Sequence, residues 1–276
     1  MALWMRWLSG LPLLWVQRIG WALGWLTWWL SPRYRLQFKQ HSQQAGYSKP
    51  QVRAAIGAAG CQALEAFRVW FGGDMPVQWQ GKEHIESAFA SGKGILFLTP
   101  HLGCFEITAP TQALTFGPGH GPMTILYRPA RQAWLRDLLL QARDRPYLKA
   151  VPTNMEGVRQ MLKALRRGEA VGLLPDQVPP EGMGIWSSMW GRPAYTMTLG
   201  ARLAMQTGAS IILAWGERLP NAEGYCIHVE PMQEALAGDV DAVVLQINRA
   251  MEQLIRQCPE QYLWGYARFK QPRHEA

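Results

Sequence analysis

Along most of the chain, short runs of apolar residues alternate with longer amphipathic segments. Three times, a segment with helical periodicity ends at a glycine and an apolar run follows directly. The three units are KEHIESAFASGKG with ILFLTP, EGVRQMLKALRRGEA with VGLLP, and MTLGARLAMQTGAS with IILAWGE. Continuous apolar runs are typical of strands that are buried on both faces. The pattern therefore predicts an α/β fold with a mixed, mostly parallel central sheet flanked by helices.

Further elements fit around these units. The segment that begins at Ser48 predicts a helix, because Ser48 can cap it and Pro50 lies in its first turn. No low-complexity linker interrupts the chain, so residues 40–276 are predicted to form one domain. The remaining predicted elements are a helix over 48–72, strands over 77–81 and 123–129, a basic helix with the sequence ARQAWLRDLLLQAR, and a helix over 239–258.

Residues 1–39 have a different pattern and predict a hydrophobic, membrane-associating segment. Seven tryptophans fall between Trp4 and Trp29. One interpretation is a helix that spans the bilayer with Arg18 near its middle, at a cost of about 2.5–3.5 kcal/mol. Another is a helix or hairpin that lies in the interface, where tryptophan prefers to be. A third is a buried N-terminal helix of a soluble protein.

The charge of the chain narrows the choice of partners. Its formal net charge is +8, which favours an acidic partner such as nucleic acid, anionic lipid or an acidic carrier protein. No RNA- or DNA-binding signature occurs, so nucleic acid is not an expected partner. The four cysteines form no CxxC pair and no metal-ligand spacing. They are predicted to be reduced thiols in a protein that faces the cytosol, and no metal site is expected.

The segment TPHLGCFEI, residues 99–107, places His101 and Glu106 after a predicted buried strand. On one regular helix the two side chains would point about 140° apart. If a helix begins only after Gly103, His101 lies on the turn and Glu106 lies in the first helical turn, where the helix dipole favours a carboxylate. Glu106 could then hold one ring nitrogen of His101 and leave the other as a general base. A satisfied histidine beside a surface glutamate is the alternative.

Four segments in order resemble the late (lauroyl/myristoyl) lipid A acyltransferases, within the broader glycerolipid acyltransferases. HLGCFE is similar to their H-x4-D/E block, and YRP at 127–129 to a second block. GEAVGLLPDQ and the closing PEQYLWGYARFK resemble two more. The chain departs from the family at Cys104 and Phe105, where Asn-Trp is frequent, and at Tyr266, where His is frequent.

The resemblance implies an enzyme that moves a fatty acyl group from an acyl carrier protein thioester, or from acyl-CoA, to a hydroxyl of a lipid A precursor. His101 would be the general base and Glu106 its orienter, without a cofactor or metal. The oxyanion would be stabilised by Arg128 or by the backbone N–H groups of residues 102–104. The resemblance also implies the cytoplasmic face of a bacterial inner membrane. The expected substrate-binding residues are Arg128, Arg131, Asp176, Gln177 and Arg268, and Arg136 could add a contact to lipid phosphate or the carrier protein.

Three other functions remain open from the sequence. A lysophospholipid or ornithine-lipid acyltransferase would use the same chemistry on another acceptor. A membrane-tethered protein could bind acyl carriers without catalysis. Cys104 could serve as the nucleophile of a Cys–His hydrolase, although a small buried thiol is the simpler interpretation.

Overall fold

A seven-stranded sheet forms the centre of the protein in a computed structural model, which describes residues 9–127 and 145–273. In the order in which they lie side by side, its strands are β1 (Val77–Gln80), β9 (Tyr225–Pro231), β8 (Ser210–Arg218), β2 (Ile95–Leu98), β5 (Ala170–Leu173), β3 (Met123–Tyr127) and β4 (Leu148–Pro152). Only the pairing of β8 with β9 is antiparallel, so the predicted mixed, mostly parallel sheet is confirmed.

Helices cover the sheet, and an antiparallel hairpin of β6 (Gly184–Met189) and β7 (Arg192–Met197) lies beside it. The predicted helix over 48–72 is divided at Arg53 into a short piece and a long helix. The predicted basic helix after β3 lies outside the described residues. The helices are α1 (Leu13–Leu30), α2 (Pro32–Gln44), α3 (Lys49–Val52), α4 (Ala54–Phe71), α5 (Lys82–Ala90), α6 (Thr108–His120), α7 (Met155–Arg166), α8 (Leu199–Thr207) and α9 (Val240–Gln257).

The central strand β2 brings the site together. All four of its residues are buried, because it lies between β5 and β8 and has helices on both faces. Its register pairs Leu98 with Leu173 of β5. Since the two strands are parallel, the segments that follow them leave the sheet side by side at the same edge. His101 and Asp176 are each the third residue after this pair.

The N-terminal helix α1 lies along α4, and glycines form the contact. A Cβ atom at Gly60 would lie 2.0 Å from the carbonyl oxygen of Gly20, and one at Gly24 would lie 2.2 Å from that of Ile56. Polar contacts add to this packing, because the Gln17 amide donates to Glu65 at 3.0 Å. None of the helices in residues 9–127 and 145–273 combines the length and apolar character needed to cross a bilayer.

Replacing Gly60 with alanine is expected to lower the free energy of unfolding by about 1–3 kcal/mol. The added methyl group meets backbone atoms of Gly20, which have no alternative rotamer, so the helices must separate. Urea-induced unfolding measures the difference. Gly119→Ala is the matched control, because that helical position is open. Alanine there is expected to raise the free energy of unfolding by about 0.5–1 kcal/mol. Equal effects of the two substitutions would contradict the close packing of α1 on α4.

Candidate active site

The turn after β2 is held by contacts with β5, β8 and α4. The N–H of Thr99 still donates to Leu173 in the ladder with β5. Gly103 has φ +60°, and a Cβ there would lie 1.9 Å from the carbonyl oxygen of Gly216, so this position requires glycine. From the side of α4, the amide of Gln62 donates to the carbonyl oxygens of His101 and Gly103, at 3.1 and 3.0 Å.

His101 is paired with Asp176 at the carboxyl end of β5. Its Nδ1 lies 2.7 Å from Oδ1 of Asp176, and its backbone N–H donates to Oδ2 at 2.9 Å. Burial alone would raise the pKa of Asp176, but the charge of His101 and these two hydrogen bonds outweigh it, so the pKa lies below its ordinary value. Since an ionised carboxylate only accepts, the hydrogen of the neutral ring is on Nδ1 and the lone pair is on Nε2.

Glu106 was expected to hold one ring nitrogen of His101, but the structure gives this role to another carboxylate. Glu106 lies in the wall of the same cavity, in a 3₁₀ turn (Phe105–Ile107) that leads into α6. One of its oxygens accepts from the indole N–H of Trp70 at 2.7 Å. The carboxylate at Nδ1 is therefore Asp176, because the register of β2 and β5 places Asp176 beside the turn while Glu106 lies further along it.

Gln177 lies at the other ring nitrogen of His101. Its Nε2 is 2.9 Å from Nε2 of the ring, and because that ring nitrogen carries the lone pair, the amide donates to it. Asp176 and Gln177, both expected to contact substrate, thus lie on opposite sides of the imidazole. The amide occupies the place that an incoming hydroxyl would take.

The backbone N–H groups of residues 102–104 are already used, so the expectation that they stabilise an oxyanion is wrong. Leu102 donates to Pro100 at 2.7 Å, Gly103 donates to Gln261 at 3.1 Å, and Cys104 donates to Gly216 at 2.7 Å. The turn is a supported scaffold for His101 and offers no free donor at these three positions.

A cavity of about 420 Å³ opens in front of His101, Glu106 and Gln177. Its wall continues over the sheet and below α6 with mostly apolar side chains. Such a cavity suits a flexible apolar chain whose reactive end lies at His101. The apolar lining consists of Phe105, Ala109, Met123, Ile125, Leu126, Leu173, Leu174, Val178, Pro179 and Met197.

A buried ion pair supports the turn from behind. Glu65 of α4 is fully buried and accepts two hydrogen bonds from Arg218 at the end of β8, at 2.7 and 2.5 Å. Gln261 joins this pair to the turn, because its side chain bonds to the backbone of Arg218 and its carbonyl accepts from Gly103. Sequence reasoning did not find this group. Its one signal is Gln62 and Glu65, two polar residues on the small-residue face of α4.

Arg268 does not line the cavity, in contrast to the expected contact with substrate. Its side chain is buried and donates to the carbonyl oxygen of Tyr195 and the hydroxyl of Thr196, both at the end of β7. The closing segment of the chain therefore ties the hairpin to the site. The charge of Arg268 also helps to lower the pKa of Asp176.

Three other expected residues, Arg128, Arg131 and Arg136, lie outside the described residues.

Cys104 is placed for packing and not for nucleophilic attack. The side chain is 1% exposed, lies in the apolar cluster below the sheet and does not line the cavity. Burial raises the pKa of its thiol well above the ordinary value, and the carboxylate of Glu65 adds to this effect. The thiol is therefore protonated at neutral pH, and a Cys–His hydrolase has no support.

The arrangement provides a positioned base beside an apolar cavity. An imidazole whose Nδ1 is held by a carboxylate can accept the proton of a hydroxyl at Nε2 and return it to a leaving group. Within the part of the chain that the structure describes, no group of three His, Cys, Asp or Glu side chains could hold a metal ion.

The chain is similar to known bacterial proteins over most of its length. A family described as bacterial lipid A biosynthesis acyltransferase matches residues 3–271. The lipid A biosynthesis lauroyltransferase of Escherichia coli K12 is 27% identical over 293 residues, covering 97% of this chain and 92% of that protein. The palmitoleoyltransferase of the same strain is 25% identical, covering 85% and 76%. A lipid A biosynthesis acyltransferase of Haemophilus influenzae is 26% identical, covering 67% and 56%.

Proposed function

We propose, since the chain belongs to the bacterial lipid A biosynthesis acyltransferase family, that it transfers a fatty acyl group from an acyl carrier protein thioester to a hydroxyl of a lipid A precursor. Membership of the family makes the protein an acyltransferase with a lipid acceptor. The donor, the residues that catalyse and the membrane location are parts of the proposal. The observation that carries the mechanism is the bond between His101 and Asp176 at the mouth of an apolar cavity.

Nε2 of His101 takes the proton of the acceptor hydroxyl as its oxygen attacks the thioester carbon. The tetrahedral intermediate then collapses, the C–S bond breaks, and the leaving thiolate takes the proton back from Nε2. The products are an ester on the lipid and the free thiol of the carrier. Asp176 stabilises the imidazolium that exists between the two proton transfers, because its carboxylate lies 2.7 Å from Nδ1.

Gln177 and Glu106 have complementary roles in this proposal. The acceptor hydroxyl displaces the Gln177 amide from Nε2, and the amide N–H then donates to the developing oxyanion next to it. Glu106 lies in the wall of the same cavity, and its negative charge also favours the imidazolium. The supporting observation for Gln177 is that the N–H groups of residues 102–104 have other partners.

Different features of the protein favour the acyl chain, the carrier protein and the lipid acceptor. The apolar lining of the cavity accommodates the acyl chain, and the net charge of +8 favours both an acidic carrier protein and an anionic lipid surface. Arg128 and Arg131 are proposed to contact substrate, with Arg128 also a candidate donor to the oxyanion. The protein is proposed to work at the cytoplasmic face of the bacterial inner membrane without a cofactor.

Mass spectrometry after incubation of the purified full-length protein tests the function. The protein receives an acyl carrier protein thioester together with either a lipid A precursor or a lysophospholipid. The expected result is a lipid A precursor that is heavier by one acyl group, with the lysophospholipid unchanged. Acylation of the lysophospholipid alone would move the function to that acceptor. No transfer from the carrier thioester, but transfer from acyl-CoA, would show that the proposed donor is wrong.

A further inference from the structure

The outer face of α1 is the largest run of exposed apolar side chains on any described helix. Opposite the glycines that pack on α4, Trp15 is 52% exposed, Trp29 is 67% exposed and Leu30 is 73% exposed. A single exposed apolar residue is ordinary, but an apolar face of this size marks a docking surface, although the exposed Arg18 lies within it, over the ring of Trp15. The other exposed large side chains of α1 are Leu14, Trp21, Leu23 and Leu26.

A basic pocket lies at the C-terminal end of this face. The pocket has a volume of about 390 Å³ and is lined by Trp25, Trp28, Trp29, Lys49, Pro50 and Arg53. Lys39 adjoins the pocket without lining it, because its ammonium group lies over the ring of Trp28, 6.0 Å from the centroid, and that of Lys49 lies over the same ring at 5.9 Å. The guanidinium of Arg53 lies 5.4 Å from the centroid of Trp25.

The three cations have no counter-charge in the described part of the chain. None of Lys39, Lys49 and Arg53 forms an ion pair with a described residue. Like charges that converge on one indole repel each other, and an anion placed among them would remove that repulsion. A phosphate group satisfies several such donors at once, because its oxygens accept charge-assisted hydrogen bonds.

We infer that this pocket binds the phosphate headgroup of an anionic phospholipid while the exposed face of α1 lies in the bilayer interface. We call it the headgroup pocket. Two features favour a bilayer over a protein partner: tryptophan prefers the membrane interface, and cations beside an apolar helical face are typical of helices that lie in it. The inference rests on the proposed function only in taking the acceptor to be a membrane lipid.

The position of α4 explains what this docking would achieve. The helix starts beside Arg53 in the headgroup pocket, and Gln62 further along it holds the turn of His101. Nine residues of α-helix correspond to about 14 Å along the axis. Because α1 is fixed to α4 by the contact of their glycines, a bound headgroup would set the distance of the catalytic histidine from the membrane surface.

Flotation of the full-length protein with lipid vesicles tests the inference. The triple variant Lys39→Gln, Lys49→Gln, Arg53→Gln is expected to bind vesicles of phosphatidylglycerol and phosphatidylcholine about 10²-fold less tightly than the wild type. Its binding to phosphatidylcholine alone is expected to change little, because the apolar face is intact. Trp29→Ser is expected to weaken binding to both kinds of vesicle.

The matched control is Lys93→Gln, Lys163→Gln, Arg166→Gln, which removes the same charge from exposed positions before β2 and in α7, outside the lining of the headgroup pocket. Its binding to both kinds of vesicle is expected to equal that of the wild type. Equal losses in both triple variants would show that net charge alone attracts the vesicles and would overturn the headgroup pocket. Unchanged binding of the first triple variant would overturn it as well.

An assay of acyl transfer in detergent distinguishes a failure of the headgroup pocket from a failure of the proposed function. With the acceptor dissolved in detergent micelles, the triple variant of the headgroup pocket is expected to work at the rate of the wild type, since its residues do not touch the cavity of His101. A wild type that binds vesicles but transfers no acyl group would contradict the proposed function and leave the headgroup pocket standing. A variant that loses transfer in detergent as well would contradict a role limited to membrane docking.

Discussion

Replacing His101 with alanine is expected to lower kcat by about 10²–10⁴-fold, with little change in the fold. The substitution removes the base that faces the cavity, and no other described imidazole lines it. The turn itself should persist, because Gln62 and Gln261 bind its backbone and not the ring. The rate of acyl transfer at saturating substrate measures kcat. The far-ultraviolet circular dichroism spectrum checks that the fold is kept.

The control for this substitution is His120→Ala. That histidine lies at the end of α6, stacked on Phe89 with centroids 4.0 Å apart, and away from the cavity. It is expected to keep the transfer rate of the wild type. If His101→Ala transferred acyl groups as fast as His120→Ala, the general-base mechanism would fail, whatever the acceptor.

Asp176→Asn is expected to lower kcat on the order of 10³-fold, because it reverses the tautomer of His101. In the wild type, both carboxylate oxygens accept: one from the backbone N–H of His101 and one from its Nδ1. Asparagine has a single oxygen, and the backbone N–H can only donate, so the oxygen stays there. The NH₂ group then faces Nδ1, which must become an acceptor, and the hydrogen moves to Nε2. A ring with hydrogen on Nε2 cannot take a proton from the acceptor.

Nitrogen NMR of the His101 ring distinguishes this effect from simple loss of structure. The protonated nitrogen is expected to be Nδ1 in the wild type and Nε2 in Asp176→Asn. Glu106→Gln is the comparison, because it changes a carboxylate in the same cavity without touching Nδ1. It is expected to leave the hydrogen on Nδ1. If Glu106→Gln reversed the tautomer and Asp176→Asn did not, Glu106 would be the residue that orients His101 in solution.

The three central strands of the fold were predictable from the sequence, because each is a continuous apolar run. The apolar runs at β2, β5 and β8 predict strands, and each is found. The strands β4, β6, β7 and β9 were not predicted. In β9 buried residues alternate with less buried ones, and in β6 only Met189 is buried, so neither strand has the continuous apolar run that marks a strand covered on both faces.

Part of the site was predicted from the sequence. His101, Asp176 and Gln177 were identified because they follow predicted buried strands and fall in segments that resemble the family. The partner of His101 was not identified, because spacing along the chain favours Glu106, which is close in sequence. Gln62, Glu65 and Arg218 were missed because each lies far in sequence from the turn that it supports.

The sequence by itself determined the three helix–strand units that end in β2, β5 and β8, and the imidazole that follows β2. Local patterns suffice for these, since periodicity and burial act over neighbouring residues. Only the tertiary structure decided which carboxylate holds Nδ1 and that the turn has no free N–H at residues 102–104. The first depends on the register of β2 with β5, which joins residues 75 positions apart. The second depends on Gly216 of β8 and on Gln261, which accept from the turn. Register is set by packing across the whole sheet, and no local pattern encodes it.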